Sequence, residues 1–167
     1  MQETAAENQL FKNKTGPFLA WLNNMNANPE IWESREMSTD VLKELEQKTT
    51  LLVHNTFAKQ EDMSDNYYCT CPTSNLYIEN SLPNYSLFNP DRLCVGTDSL
   101  ASNESLSILK ELRIIEQNSN FDLQKILKIG SKNGAEALGF SKLGSFEKGK
   151  IPGVNLIKNN RKLEVII

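Results

Sequence analysis

Three short runs rich in apolar residues, each followed at once by polar residues, constrain the fold of this chain more than any other feature. The runs lie at 50–53, 67–71 and 92–95, and segments with helical spacing separate them. An uninterrupted apolar run is typical of a parallel strand that is covered on both faces. Strands that alternate with helices predict a parallel α/β sheet or barrel. In a barrel of this class, active sites are built at the carboxyl ends of the strands.

The spacing of apolar residues predicts the other elements. A helix is expected from Thr4 to Met25, with a break at 16–17 where glycine precedes proline, and a loop follows at 26–38. Further helical segments are predicted at 39–47, 58–63, 104–117, 122–129 and 132–138. The apolar stripe of the 104–117 helix is assigned to the core, and it consists of Leu106, Leu109, Leu112 and Ile115. The segments 154–157 and 162–167 are β-like.

Composition excludes several classes of partner. The 167 residues amount to about one domain, by a prior of roughly 100–200 residues per domain. With 18 basic and 21 acidic residues the net charge is −3, so no basic surplus exists to bind a phosphate backbone. The apolar runs are far shorter than the ~20 residues that cross a bilayer, and residues 1–8 do not resemble a targeting peptide. We therefore expect a cytoplasmic protein that binds neither nucleic acid nor membrane.

Cysteine and histidine are both scarce. The chain has three cysteines, Cys69, Cys71 and Cys94, an odd number that does not favour a disulfide framework. We expect them to be reduced and buried, which is how free cysteine usually behaves. The single histidine is His54, so catalytic machinery that needs several imidazoles cannot come from this chain alone.

Five sequence motifs occur in a fixed order along the chain. They are His-Asn-Thr at 54–56, Cys-Pro-Thr-Ser-Asn at 71–75, Gly-Thr-Asp at 96–98, Asn-Gly-Ala-Glu-Ala-Leu-Gly at 133–139 and Gly-Ser-Phe-Glu-Lys-Gly-Lys at 144–150. Each is weak alone, but their order and spacing resemble the amidohydrolase superfamily, specifically its cytosine/guanine deaminase and triazine-hydrolase-like branch. The resemblance covers nearly the whole chain. The Gly-x-Gly-x-x-Gly fingerprint of a nucleotide cofactor is absent.

This resemblance implies an α/β fold that is the C-terminal part of a metal-dependent (β/α)₈ TIM barrel. The chain would run from the end of strand 5 through strand 8 and the helices that follow, and would then enter a small β-sandwich domain. Residues 1–141 would form the partial barrel, and 142–167 would form the C-terminal segment of the composite β domain. Because such a barrel takes ~250 residues, we expect a longer parent enzyme, with a His-x-His motif and one further histidine before Met1.

The resemblance also implies roles for five residues. In the family, a metal that is usually zinc, or otherwise iron, is held by the His-x-His pair, the fifth-strand histidine and the eighth-strand aspartate. Asp98 would be that aspartate, and it would also take the proton of the attacking water. Glu3 would act as the general acid and base, and His54 would stabilise the developing charge. His54, Ser74 and Asn75 would line the substrate pocket. The metal site of this chain alone would be incomplete.

The implied activity is hydrolysis of carbon–nitrogen bonds other than peptide bonds. In the parent enzyme this would be deamination of an aminated purine-like or other N-heterocyclic small molecule, such as an adenosine-type nucleoside, guanine or a chlorinated triazine. A homodimer is possible for the full-length protein. Two alternatives stay open: a catalytically inactive fragment that lacks most metal ligands, and an unrelated α/β binding domain. In these alternatives Asp98 is an N-cap or turn residue, His54 is a structural hydrogen-bonding residue and Glu3 is a solvated terminal residue.

Overall fold

The computed structural model describes residues 4–27, 33–36, 40, 50–158 and 162–166. The predicted helix at 39–47 lies outside these residues except for Asp40, and so does much of the predicted loop at 26–38. The helices are α1 (Ala5–Asn13), α2 (Pro17–Asn24), α3 (Pro72–Glu79), α4 (Ile108–Gln117), α5 (Leu123–Ile129) and α6 (Lys132–Ala137). The strands are β1 (Leu51–Val53), β2 (Tyr67–Thr70), β3 (Leu93–Val95), β4 (Asn155–Lys158) and β5 (Lys162–Val165).

The first three strands form a parallel sheet in the order β1-β2-β3, as the sequence predicts. Val53 lies opposite Cys69, which in turn lies opposite Cys94. Backbone hydrogen bonds continue one residue beyond β1 and β3, where the His54 N–H donates to the Cys69 carbonyl at 2.8 Å and the Gly96 N–H donates to the Thr70 carbonyl at 3.0 Å. The carboxyl ends of all three strands therefore lie side by side.

The apolar core lies between this sheet and the helices α4 and α5. Its buried members are Leu52, Tyr68, Tyr85, Phe88, Leu93, Leu112, Ile115, Ile126 and Ile129. Towards the end of the chain, β4 and β5 pair as an antiparallel hairpin, so the two β-like segments there are confirmed as strands. Within the described residues, no helix combines the length and the apolar character needed to cross a membrane.

One core assignment is wrong. Helix α4 begins at Ile108 rather than at residue 104, because the Ser107 side chain accepts a hydrogen bond from the Lys110 N–H and caps the helix there. Leu106 therefore precedes the helix, and its side chain is 64% exposed. Leu112 and Ile115 are buried as expected, whereas Leu109 is only half-buried.

Two other predictions of helix differ from the structure. The segment 58–63 contains only a 3₁₀ turn, Gln60–Asp62, instead of a helix. Helix α3 has no counterpart among the predicted helical segments. Pro72 follows shortly after β2 and occupies the first turn of α3, where its missing N–H removes no intrahelical hydrogen bond.

The different burial of Ile115 and Leu106 predicts different effects of truncating them on the free energy of unfolding. Ile115 is 0% exposed, and truncation to alanine is expected to lower the free energy of unfolding by about 2–5 kcal/mol through lost burial and a residual cavity. The matched change Leu106→Ala is expected to stay within about 0.5 kcal/mol of the wild type. Urea unfolding of both variants tests this, and equal destabilisation would contradict the position of α4.

Candidate functional site

Backbone conformation is unusual where β1 and β3 end. His54 has φ 69°, Asn55 has φ 54° and Asp98 has φ 57°, so three residues other than glycine adopt the left-handed region within two neighbouring motifs. Aspartate, asparagine and histidine tolerate this region better than most residues, yet each such residue costs roughly 1–3 kcal/mol. Backbone strain of this kind concentrates at functional sites, so the carboxyl edge of the sheet is the place to look for one.

Asp98 is held in one orientation by three hydrogen bonds. The hydroxyls of Ser74 and Ser102 donate to its Oδ2 atom at 2.7 and 3.0 Å, and the backbone N–H of Ser99 donates to Oδ1 at 2.7 Å. The two serine hydroxyls are themselves 2.9 Å apart. The Asp98 side chain remains 30% exposed. The site therefore presents a carboxylate that is held by three hydrogen bonds and is still partly accessible to solvent.

The same contacts keep Asp98 ionised. Burial by itself would raise the pKa of Asp98, but the hydrogen bonds from Ser74 and from the Ser99 backbone outweigh it. Ser102 and the nearby His54 ring lower the pKa further, so the net direction is below the ordinary aspartate value. A hydrogen-bonded carboxylate of this kind is the charged form that a metal ion or an incoming proton requires.

His54 lies between Asn75 and Asp98. Its Nδ1 atom is 3.0 Å from Asn75 Oδ1, and because an amide oxygen only accepts, the hydrogen bond forms in the tautomer that carries a hydrogen on Nδ1. Its Nε2 atom is 4.0 Å from Asp98 Oδ2. In the neutral ring this tautomer leaves a lone pair on Nε2, on the side of Asp98. The structure thus brings His54, Asn75 and Asp98 together, as their positions after successive strands predict.

Ser74 and Asn75 are more deeply buried than the sequence indicates. Their side chains are 0% and 1% exposed, and each directs an oxygen at a more accessible neighbour, Ser74 at Asp98 and Asn75 at His54. The Nδ2 atom of Asn75 makes no hydrogen bond to any residue that the structure describes. Ser74 is thus placed to orient the Asp98 carboxylate, and Asn75 is placed to orient the His54 ring.

A metal ion would find an incomplete set of ligands in the described residues. Within 4–27, 33–36, 40, 50–158 and 162–166, no three side chains of histidine, cysteine, aspartate or glutamate are grouped to hold one. A catalytic zinc site generally has three protein ligands, whereas Asp98 and His54 offer two donors at most. The residues described here therefore do not fit a whole metal site. Glu3, the predicted acid and base, lies outside the described residues.

The sequence reasoning missed one buried acid beside this cluster. Glu111 on α4 is fully buried, and its carboxylate contacts the segments that follow both β2 and β3. Its position offered a signal, since it lies three residues after Ile108 and four before Ile115, on the apolar face of the helix. A charged residue on such a face needs a partner inside the fold.

Comparison with known proteins identifies the family. Residues 19–166 match the model of the Amidohydrolase family, which is most of the chain. The chain belongs to the amidohydrolase family. Members of this family generally depend on a divalent metal ion, which agrees with an ionised Asp98 at the carboxyl edge of the sheet.

Three similar proteins are deaminases by name. The chain is 34% identical over 89 residues to a 5-methylthioadenosine/S-adenosylhomocysteine deaminase of Halalkalibacterium halodurans, a match that covers 47% of the chain and 20% of that protein. It is 32% identical over 126 residues to an adenosine deaminase of Helicobacter pylori, with 68% and 31% covered. The structure of Helicobacter pylori aminofutalosine deaminase in complex with methylthio-coformycin superposes with a TM-score of 0.72 at 27% identity, with 90% and 40% covered.

All three matches cover less than half of the similar protein. The amidohydrolase chain spans 20% to 40% of the length of the three proteins, so the similarity concerns only that part of each of them. Within that part the α/β fold agrees with the solved structure over nearly the whole chain.

Proposed function

We propose that the protein carrying this chain is a metal-dependent amidohydrolase that deaminates an adenosine-like small molecule. The observation that carries the proposal is the cluster at the carboxyl edge of the sheet. There, in a chain of this family, contacts of 2.7 to 4.0 Å connect the side chains of His54, Asn75, Ser74 and Asp98. The deaminase names of the relatives support an adenosine-like substrate. The motifs resemble the cytosine/guanine deaminase and triazine-hydrolase-like branch, so guanine and chlorinated triazines follow as second choices.

Hydrolytic deamination adds water to the ring carbon that bears the amine and releases ammonia. Asp98 would be one ligand of a divalent ion, zinc or iron, which would supply the Lewis acidity that makes water a better nucleophile at neutral pH. In this proposal Asp98 also receives the proton of the attacking water. His54 stabilises the charge that develops on the substrate, and Glu3 carries protons to the ring nitrogen and the leaving amine.

Ser74 and Asn75 act in this scheme by positioning other groups. Because both are buried and hydrogen-bonded to Asp98 and His54, their effect reaches the substrate through those two residues. The family resemblance instead implies that Ser74 and Asn75 contact the substrate directly. Asn75 also sets the tautomer of His54, since its amide oxygen requires a hydrogen on Nδ1.

The larger architecture is part of the same proposal. We infer that β1, β2 and β3 are the last three strands of a (β/α)₈ barrel, because they are parallel and adjacent in chain order. The β4–β5 hairpin would then belong to the small β domain of residues 142–167. The boundary at 141, the cytoplasmic location and the homodimer remain predictions.

A substrate screen tests the activity. The complete enzyme, meaning the polypeptide that carries this chain and the residues that supply the remaining metal ligands, is expected to release ammonia from an adenosine-type nucleoside and to lose this activity when the metal is chelated. The same screen includes guanine and chlorinated triazines. If a folded, metal-loaded complete enzyme releases no ammonia from any of them, the deaminase proposal fails and the inactive alternative gains support.

A further inference from the structure

The buried carboxylate of Glu111 has no part in the chemistry proposed above, yet it contacts both segments that carry that chemistry. We propose that Glu111 is a positioning residue that holds the segment after β2 and the segment after β3 at a set distance from each other. The inference rests on the proposed function, because it concerns the alignment of the same site.

The contacts of Glu111 form a bridge. Its Oε2 atom accepts a hydrogen bond from the backbone N–H of Thr73 at 2.8 Å. Its Oε1 atom accepts one from the Asn103 side-chain amide, also at 2.8 Å. The same Asn103 nitrogen donates to the Thr97 carbonyl at 2.7 Å, so one carboxylate connects the start of α3 to the turn after β3.

The bridge ends beside the reactive groups. Thr73 directly precedes Ser74 and Asn75 in the chain, and Thr97 directly precedes Asp98. The hydrogen bond from Ser74 to Asp98 spans the same gap between the two segments, at 2.7 Å. A change in the separation of the segments therefore changes the support of Asp98.

A carboxyl group suits this place better than an amide side chain, because its two oxygens accept from two separate donors. Cys71, at the N-cap of α3, makes no side-chain capping hydrogen bond, so the first turn of the helix takes its acceptor from Glu111 instead. A carboxylate near a helix N-terminus is favoured by the helix dipole, and hydrogen bonds to a charged acceptor are stronger than neutral ones. Asn103 cannot turn its amide around, because its Oδ1 atom accepts from the Ser105 N–H at 3.1 Å.

The substitution Glu111→Gln tests the bridge while keeping the size of the side chain. One of its two oxygens becomes an NH₂ group that faces the N–H of either Thr73 or Asn103, so one link is lost. The matched control is Asn133→Ala, at another buried polar residue. The Asn133 amide donates to the carbonyls of Pro90 and Leu93 at 2.7 Å each, near the opposite end of β3.

Amide hydrogen exchange measures how firmly Glu111 holds the two segments, and it does not require an active enzyme. In Glu111→Gln, exchange is expected to quicken by about 10-fold in peptides that cover both 72–79 and 97–103. In Asn133→Ala it should quicken only around 90–93 and 132–137. If Glu111→Gln does not fold, Asn103→Ala serves instead and should loosen 97–103. Wild-type exchange in both segments of Glu111→Gln, or in 97–103 of Asn103→Ala, would overturn the proposal.

Kinetics and metal binding in the complete enzyme show whether Glu111 aligns the site or only stabilises the fold. Glu111→Gln is expected to lower kcat and zinc affinity by about 10-fold each with KM nearly unchanged, because residues that support metal ligands typically have effects of that size. Asn133→Ala should leave both at the wild-type level. If Glu111→Gln matches this control in an active enzyme, the inference is wrong. If the wild type releases no ammonia while both segments loosen, the proposed function fails and the bridge stands.

Discussion

Under the proposed function, Asp98→Ala in the complete enzyme is expected to abolish deamination and to remove the tightly held divalent metal ion at the same time. Asp98 is the one carboxylate in the described cluster, and its pKa is held below the ordinary value by the surrounding hydrogen bonds. In the proposed scheme, its removal takes away both an anionic ligand and a proton acceptor. Ammonia release and metal content after dialysis against a mild chelator measure the two effects on one preparation.

Asp91→Ala is the matched control for this experiment. Asp91 precedes β3, whereas Asp98 follows it, and the exposed Asp91 carboxylate pairs only with Lys128 at 3.0 Å among the contacts that the structure describes. Exposed ion pairs contribute about 0–1 kcal/mol, so this variant should keep its metal and its rate. Near-normal turnover of Asp98→Ala with the metal still bound would show that the role of Asp98 is assigned wrongly.

His54→Ala is expected to lower kcat by roughly 10²–10³ while the divalent metal ion stays bound. The reason is that the proposal gives His54 a charge-stabilising role and gives the ligand role to Asp98, with the two side chains 4.0 Å apart. Steady-state rates and metal content distinguish these roles. Added imidazole should restore part of the rate, since the truncation leaves space for the ring where Asn75 can still orient it.

Two other results for His54→Ala would contradict the charge-stabilising role. If the metal is lost together with the activity, His54 is a metal ligand and the described residues supply two ligands instead of one. If the rate falls less than 10-fold with the metal in place, the histidine is a structural residue at the end of β1 and the charge-stabilising group lies elsewhere.

Local patterns in the sequence determined the parallel strands and the polar residues that follow them. Each run of apolar residues predicts a strand without reference to the rest of the chain, and parallel strands necessarily present their carboxyl ends at one edge. The break between α1 and α2 is local in the same way, because Gly16 adopts φ 92° just before Pro17. The nearness of His54, Asn75 and Asp98 follows from these local features.

Only the tertiary structure decided the contacts that support the site. Glu111 and Thr73 are 38 residues apart, and no spacing rule predicts that the carboxylate on α4 completes the first turn of α3. The exposure of Leu106 likewise depends on where Ser107 caps the helix. Periodicity reports which face of an element is apolar, whereas a buried charge is placed by whichever donors the folded chain brings to it.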